Sequence, residues 1–379
     1  MAFLILYWLI FIKLFLAGFY EIFGKSDKIK ERLYYISLGT LVLFFGTRGF
    51  IGWDWYFYYP AFMEKALSYE PGYMFFSKVV GTVYKNYHFF IFINTLIDFT
   101  MIYFIFKRKK YKVFTLALYF AIQGIPMEID LLRNIKAILL FLISLKYMEE
   151  RKFLPFLGLN LLGFTFHITA LLYIPMYFIL PRKYPKKWIL GMFVLGNIYY
   201  LLDMKLIIKV METLGTHVGG NLGRKILGYV SLIPSSFHNR ITLLYIERIP
   251  LFLLGVFLAK KEITRNSLYI WIGIFLFTSE LSIASVRIGI LFIYSVWFIL
   301  EEALENVSGT KAKIAIFTLA FSIGLLRTWN HLSFPGNKIV YPYKNIFFRE
   351  ETYDSGKNRV NEARKTISQG HGRELLLQY

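Results

Sequence analysis

Ten ionisable residues sit in or beside apolar runs, away from the basic clusters of the chain: Arg48, Asp54, Glu128, Asp130, Arg133, His167, Arg240, Glu247, Glu280 and Arg287. A charge at the centre of a bilayer costs about 2.5–3.5 kcal/mol on insertion scales, so such groups face a protein interior or a wet cavity. Arginine keeps its charge and grips phosphate oxygens in pairs through a planar fork, which makes a set of arginines suited to a lipid diphosphate. If a lipid-diphosphate sugar is attacked at its anomeric carbon, negative charge grows on the departing diphosphate, and preplaced guanidinium groups stabilise it. The remaining need is a base for the incoming hydroxyl, and His167, Asp54 and Glu70 are the candidates. Each residue also has a purely structural reading: Arg48 with Asp54 as an ion pair at a helix end, Arg133 snorkelling to headgroups, His167 satisfied at a helix turn, and Glu280 paired with Arg287 seven residues on.

The elements that must position these residues are helices in a membrane. The 379 residues are 56% hydrophobic and 20% aromatic, with a mean hydropathy of +0.50, outside the range of a soluble globular domain. The pattern predicts an all-α, polytopic transmembrane bundle with about 10–12 spans. They are placed near 2–22, 33–51, 88–106, 112–127, 133–148, 153–166, 168–180, 188–203, 241–259, 267–283, 285–302 and 312–327. The runs 153–180 and 267–302 are read as hairpins turning at 167 and 284. The opening "MAFLILYWLIFIKLFLAGFYEIF" lacks a basic leader and a small-residue cleavage site, so it is read as a retained span.

A net charge of +20 would suggest nucleic acid in a soluble protein; here the basic residues fall in short clusters between apolar runs, and no nucleic acid is expected. Alternate connectors hold Lys25 to Arg32, "KRKKYK", Arg151 with Lys152, "PRKYPKK", "KKEITR" and Lys311 with Lys313, whereas the tight turns at 128–132, 167 and 284 hold no Lys or Arg. The positive-inside rule assigns the basic set to the cytoplasm. The connectors 52–87 and 204–240 then face outward. In the first, Glu70-Pro71-Gly72 marks a turn followed by an interfacial amphipathic helix, and in the second "GTHVGGNLGRK" reads as a mobile glycine-rich loop. Residues 1–348 form the membrane domain, and 349–379 are read as a polar, loosely ordered tail. The chain has no cysteine, which excludes disulfides, thiolate metal sites and cysteine nucleophiles. No Walker loop, GxGxxG, HExxH or EF-hand occurs, so no cofactor is expected.

One ordered set of short motifs runs through most of the chain: Arg48, Gly52-x-Asp54 and Tyr58; Glu70-Pro71-Gly72-Tyr73; Arg133; Phe166-His167-x-x-Ala170-Leu171; Arg287; and Tyr341-Pro342-Tyr343. In order and spacing, from about residue 30 to 345, this set resembles the EpsG family, a branch of the Wzy-type bacterial polysaccharide polymerases. The resemblance implies a fold like that of C-type membrane glycosyltransferases and action on undecaprenyl-diphosphate-linked oligosaccharides at the outer face of the bacterial inner membrane. It implies partners in a flippase and a chain-length regulator. Carried over, it places His167, Asp54 and Glu70 in catalysis and Arg48, Arg133, Arg287, Tyr58 and Tyr343 on diphosphate or sugar, with Arg240 as a further arginine. It also implies a metal-independent reaction; Glu128-x-Asp130 is the fallback metal pair. The rival readings are a lipid-oligosaccharide flippase or transporter, which would need a site reachable from both sides, and an O-antigen ligase, which differs only in its acceptor.

Overall fold

The computed structural model describes residues 2–231, 241–347 and 351–371. Every regular element among them is helical, apart from one isolated antiparallel bridge between Arg48 and Asn345. In chain order the α-helices of the first half are α1 (Ala2–Phe23), α2 (Asp27–Gly46), α3 (Trp55–Met63), α4 (Pro71–Val83), α5 (Tyr87–Phe106), α6 (Lys112–Tyr119), α7 (Ile125–Ile129), α8 (Asn134–Glu149), α9 (Phe153–Phe166) and α10 (Met176–Ile179). There follow α11 (Lys186–Leu201), α12 (Leu206–Val218), α13 (Gly220–Ser231), α14 (Leu243–Ile246), α15 (Arg248–Phe257), α16 (Glu262–Thr278), α17 (Ser282–Gly289) and α18 (Tyr294–Asn306), then α19 (Thr310–Ser333), α20 (Pro335–Val340) and α21 (Tyr353–Thr366). The chain divides into two compact units, one built from residues 1–181 and 308–369, the other chiefly from 182–307.

Among the described residues three helices are long and apolar enough to cross a membrane, over Leu4–Phe23, Tyr87–Phe106 and Thr310–Ser333; a fourth arises if α11 and α12, bent by 78°, count as one broken span. The protein is an all-helical membrane protein, as its hydropathy predicts. Most of the other expected spans are shorter or interrupted. The run 112–127 passes from α6 through a π-helical turn, Phe120–Gly124, into α7. The run 168–180 begins as a 3-10 helix, Ile168–Tyr173, and 241–259 breaks between α14 and α15. The hairpin expected to turn at 284 breaks earlier, between Thr278 and Ser282. The turn at His167 lies where the sequence places it, with the residue extended at φ −157°, ψ 132°. The connector read as a mobile loop contains α12 and α13, joined where Gly219 and Gly220 take positive φ, a conformation that glycine adopts without a Cβ clash.

In the first unit, α5 and α8 are locked by a buried triad. The Lys136 ammonium donates to Asp98 Oδ2 at 2.6 Å and to Asn94 Oδ1 at 2.9 Å, and Asn94 Nδ2 donates to Asp98 Oδ2 at 3.2 Å. Asn94 and Asp98 are one turn apart on α5, so both face α8. All three side chains are buried. Two opposite charges inside neighbouring apolar helices, as at Asp98 and Lys136, are themselves a sequence signal for a buried pair.

Breaking such a pair leaves an uncompensated charge and costs about 3–5 kcal/mol. Lys136→Met is therefore expected to lower the thermal midpoint of the detergent-solubilised protein sharply, and Asp98→Leu in the same chain is expected to restore most of the loss. A double variant as unstable as the single one would show that the pair is not what joins α5 to α8.

Candidate functional site

The first unit brings together side chains from four distant stretches. Helix α2 ends at Gly46, and the segment that follows does not re-enter a helix until Trp55, because it pairs with the chain after α20: Gly49 N donates to Lys344 O at 2.9 Å, Ile346 N to Thr47 O at 3.1 Å and Gly52 N to Val340 O at 2.8 Å. Two of the short motifs read from the sequence, Arg48 to Tyr58 and Tyr341-Pro342-Tyr343, are thus backbone neighbours.

Asp130 fastens this junction. Its Oδ1 accepts from the amides of Trp53 (2.6 Å) and Asp54 (3.1 Å), and its Oδ2 accepts from the hydroxyl of Tyr341. Gly52 has φ +89°, and a Cβ there would lie 2.4 Å from both Asp130 Oδ1 and Ile129 Cγ2. Only glycine lets the loop lie this close to the carboxylate. Burial raises the Asp130 carboxyl well above its ordinary range, with the nearby Asp54 carboxylate adding to the rise, while the two amides act in the opposite sense. Trp53 is held from its other end, its indole N–H donating to Asn337 Oδ1 at 3.0 Å.

Arg48 belongs to this buried layer. Its guanidinium is buried and donates to the carbonyls of Phe45 and Glu128, the latter at 2.7 Å, with Thr95 Oγ1 at 3.3 Å. Read from the sequence as a diphosphate contact, Arg48 here turns its fork onto backbone oxygens that an apolar interior would otherwise leave unsatisfied. Tyr343, read from the sequence as a diphosphate or sugar contact, is half-buried. Its ring stacks on Phe44 with centroids 4.6 Å apart and its hydroxyl donates to Phe44 O at 2.9 Å. The fallback metal pair is divided between protein donors, since Glu128 accepts from the Tyr119 hydroxyl while Asp130 holds the loop. Among the described residues no group of three His, Asp or Glu side chains converges as a metal site.

Above this layer lies the cluster with reactive chemistry. Arg133 stands at the N-cap position of α8 and is partly exposed. It forms an ion pair with Glu70, lies 4.2 Å over the centroid of Tyr69 and places Nε 3.4 Å from the Tyr58 hydroxyl. Glu70 precedes Pro71 at the start of α4, where proline at the first helical position fixes the entry of the chain. Gly72 lets α4 approach the end of α9, because a Cβ there would fall 2.2 Å from Thr165 Oγ1. Two residues on, His167 Nδ1 is 2.7 Å from Thr169 Oγ1, and that hydroxyl donates to Asn134 Oδ1 at 2.9 Å, beside Arg133. The same ring nitrogen accepts from the backbone amide of Thr169 at 3.3 Å, so Nδ1 is anchored on Thr169 from both its amide and its hydroxyl. Asp54 stands at the N-cap position of α3, one turn before Tyr58. Burial raises the Tyr58 phenol above its ordinary range, with Asp54 adding to it, so Tyr58 keeps its proton beside Arg133. Asp54, Tyr58, Glu70, Arg133 and His167, five of the residues singled out from sequence, thereby share one neighbourhood. Tyr69, Asn134 and Thr169 were missed; spacing carries no signal for them, because each acts through a contact made only on folding.

Arg287 is exposed on α17, in the second unit. Glu280 does not reach for it: its carboxylate accepts from the Tyr199 hydroxyl and from the amides of Ile207 (2.9 Å) and Ile208 (3.1 Å), capping α12. Glu247 and Arg248 are a buried pair at 3.5 Å, with Arg248 lying 4.5 Å over Trp271. Arg240 lies outside the described residues.

The model of the EpsG family matches residues 31–345, and the chain belongs to that family, one of Wzy-like polysaccharide polymerases. No curated protein and no solved structure matches it.

Loss of the Asp130 side chain would orphan two half-buried amides and a buried phenol, each unsatisfied group costing about 1–3 kcal/mol. Asp130→Ala and Gly52→Ala are each expected to lower the thermal midpoint and the membrane yield, with Tyr341→Phe milder because it removes a single donor. A wild-type midpoint for Gly52→Ala would show that the loop does not lie against Asp130.

Proposed function

We propose that this EpsG-family chain extends a polysaccharide by moving a growing glycan from undecaprenyl diphosphate onto the terminal sugar of another lipid-linked repeat, at the outer face of the bacterial inner membrane. The observation that carries the reading is the grouping of Glu70 and Tyr58 on the partly exposed guanidinium of Arg133, with Asp54 one turn before Tyr58 and His167 joined through Thr169 to Asn134, the residue after Arg133. In the reaction the acceptor hydroxyl oxygen bonds to the anomeric carbon. The bond from that carbon to the diphosphate oxygen breaks, its electron pair leaves with the diphosphate, and the hydroxyl proton passes to a base.

Arg133 is the diphosphate contact. Its ring contacts with Tyr69 and Tyr58 and its ion pair with Glu70 hold the planar fork in place before the substrate arrives. His167 is the first candidate base, its ring anchored by Thr169, whose hydroxyl is in turn held by Asn134. Asp54 is the second, and Glu70 orients Arg133 and sugar. Arg287 is proposed as a further diphosphate contact, and Arg240 as a weaker one, whereas Arg48 and Tyr343 act through the scaffold beneath. Substrate enters on a lipid, so a flippase that delivers repeat units and a regulator of chain length are the partners this reaction calls for. The inner-membrane location and the outward face rest on the distribution of basic connectors.

Incubated with a synthetic lipid-linked repeat, the purified protein is expected to form a ladder of products, and removal of a preplaced charge that stabilises the leaving group is expected to slow chain extension about 100-fold or more in Arg133→Ala. Arg133→Lys should recover little, since an ammonium neither stacks on Tyr69 nor binds two oxygens at once. Polymer of normal length from the Arg133→Ala protein would remove the residue from the reaction.

A further inference from the structure

The tail expected to be loosely ordered is helical over Tyr353–Thr366, and it lies outside the residues matched by the family. Thr352 caps it, accepting from Ser355 N at 3.3 Å, with Asp354 in the first turn and Arg364 and Lys365 in the last, as the helix dipole favours. It is a polar helix with a narrow small-residue stripe: Gly356, Val360 and Ala363, at helical spacing, are all buried.

What the stripe meets is the aromatic segment that carries Asp54 and Tyr58. A Cβ on Gly356 would stand 2.9 Å from the Trp55 ring and 3.2 Å from Phe50 Cβ, so the helix axis lies as near as glycine allows. Tyr353 stacks on Tyr59 with centroids 4.4 Å apart, and Arg364 lies 4.6 Å over Tyr56. Arg359 reaches under the helix to donate to the carbonyl of Phe50, and Glu351 at 3.1 Å balances its charge. On the other side of the same segment Asp130 holds the amides of Trp53 and Asp54. Helix α3 needs such support. It is nine residues long, Asp54 makes no side-chain capping bond to it, and it contains Pro60.

We propose that α21 is a clip that sets the entry of α3, with Gly356 and Arg359 as positioning residues that act on Asp54 and Tyr58. The clip rests on the polymerase reading for its purpose, but its docking can be measured apart from it. Because the chain has no cysteine, Ala363→Cys supplies a single thiol on the buried stripe. In the full-length protein this thiol should react slowly with a polar maleimide, and Gly356→Leu in the same chain should speed the reaction about tenfold or more, as local opening exposes it. Arg359→Ala should lower kcat/KM for chain extension about tenfold at unchanged membrane yield, since small displacements at a reacting centre are costly. Arg359→Lys, which can still donate to Phe50 O, should recover part of it. Where Arg359→Ala impairs folding, Arg364→Ala at the helix surface serves in its place. A thiol that reacts fast in both chains would overturn docking, and an unlocked thiol with unchanged chain extension would overturn the positioning role. A wild-type chain that forms no ladder, while the thiol of the Ala363→Cys chain stays protected, would overturn the polymerase reading, and the positioning role with it, leaving the docking established.

Discussion

The structure of the first unit depends on one buried carboxylate accepting three donors. Asp130 joins the turn after α7 to the amides before α3 and to the hydroxyl of Tyr341, and so brings three distant parts of the chain to a common point. Low dielectric makes the arrangement consequential, since each of those donors would be costly to bury alone and the carboxylate costlier still. Gly52 is the backbone counterpart of the same contact, and Arg48 satisfies the neighbouring carbonyls from below. The segment that carries Asp54 and Tyr58 is held by this layer, in which Arg48 and Asp130 are both engaged by backbone groups.

The same device recurs. Glu21 accepts from the amides of Val113 and Phe114 in the first turn of α6, Glu280 from Ile207 and Ile208 in the first turn of α12, and Glu302 from Lys260 and Lys261 ahead of α16. A helix that begins away from water leaves its first amides without partners, and an anion from a neighbouring helix both supplies the acceptor and meets the positive end of the dipole. Acidic residues inside apolar runs of this protein are therefore in several cases helix caps acting across the packing. This accounts for Glu280 engaging α12 and not Arg287, and it separates the carboxylates that build the fold from Glu70 and Asp54, which remain near the partly exposed Arg133.

Much of the helical layout was legible because apolar length and turn chemistry are local. The helix from Pro71, the break at His167 and the long helices at residues 87–106 and 310–333 lie close to where periodicity and punctuation put them. The interruptions were not legible: the π-turn at Phe120–Gly124 and the 3-10 turn at Ile168–Tyr173 fall within uniformly apolar sequence, where hydropathy is blind to how backbone hydrogen bonds are routed. The tail misled for the opposite reason. Its composition is polar, and the apolar surface that orders it belongs to Phe50, Trp55 and Tyr59.

By itself the sequence determined that the chain is helical and belongs in a membrane, because those properties follow from the summed apolar content and its run lengths. It also determined which residue types were available for phosphate and proton chemistry. Only the tertiary structure decided which of them act together. Arg133 with Glu70 and Tyr58, and His167 with Thr169 and Asn134, are pairings across 2 to 75 positions of chain. Whether a given charge meets substrate or a carbonyl depends on what packs within a few ångströms of it, a quantity that no local pattern encodes.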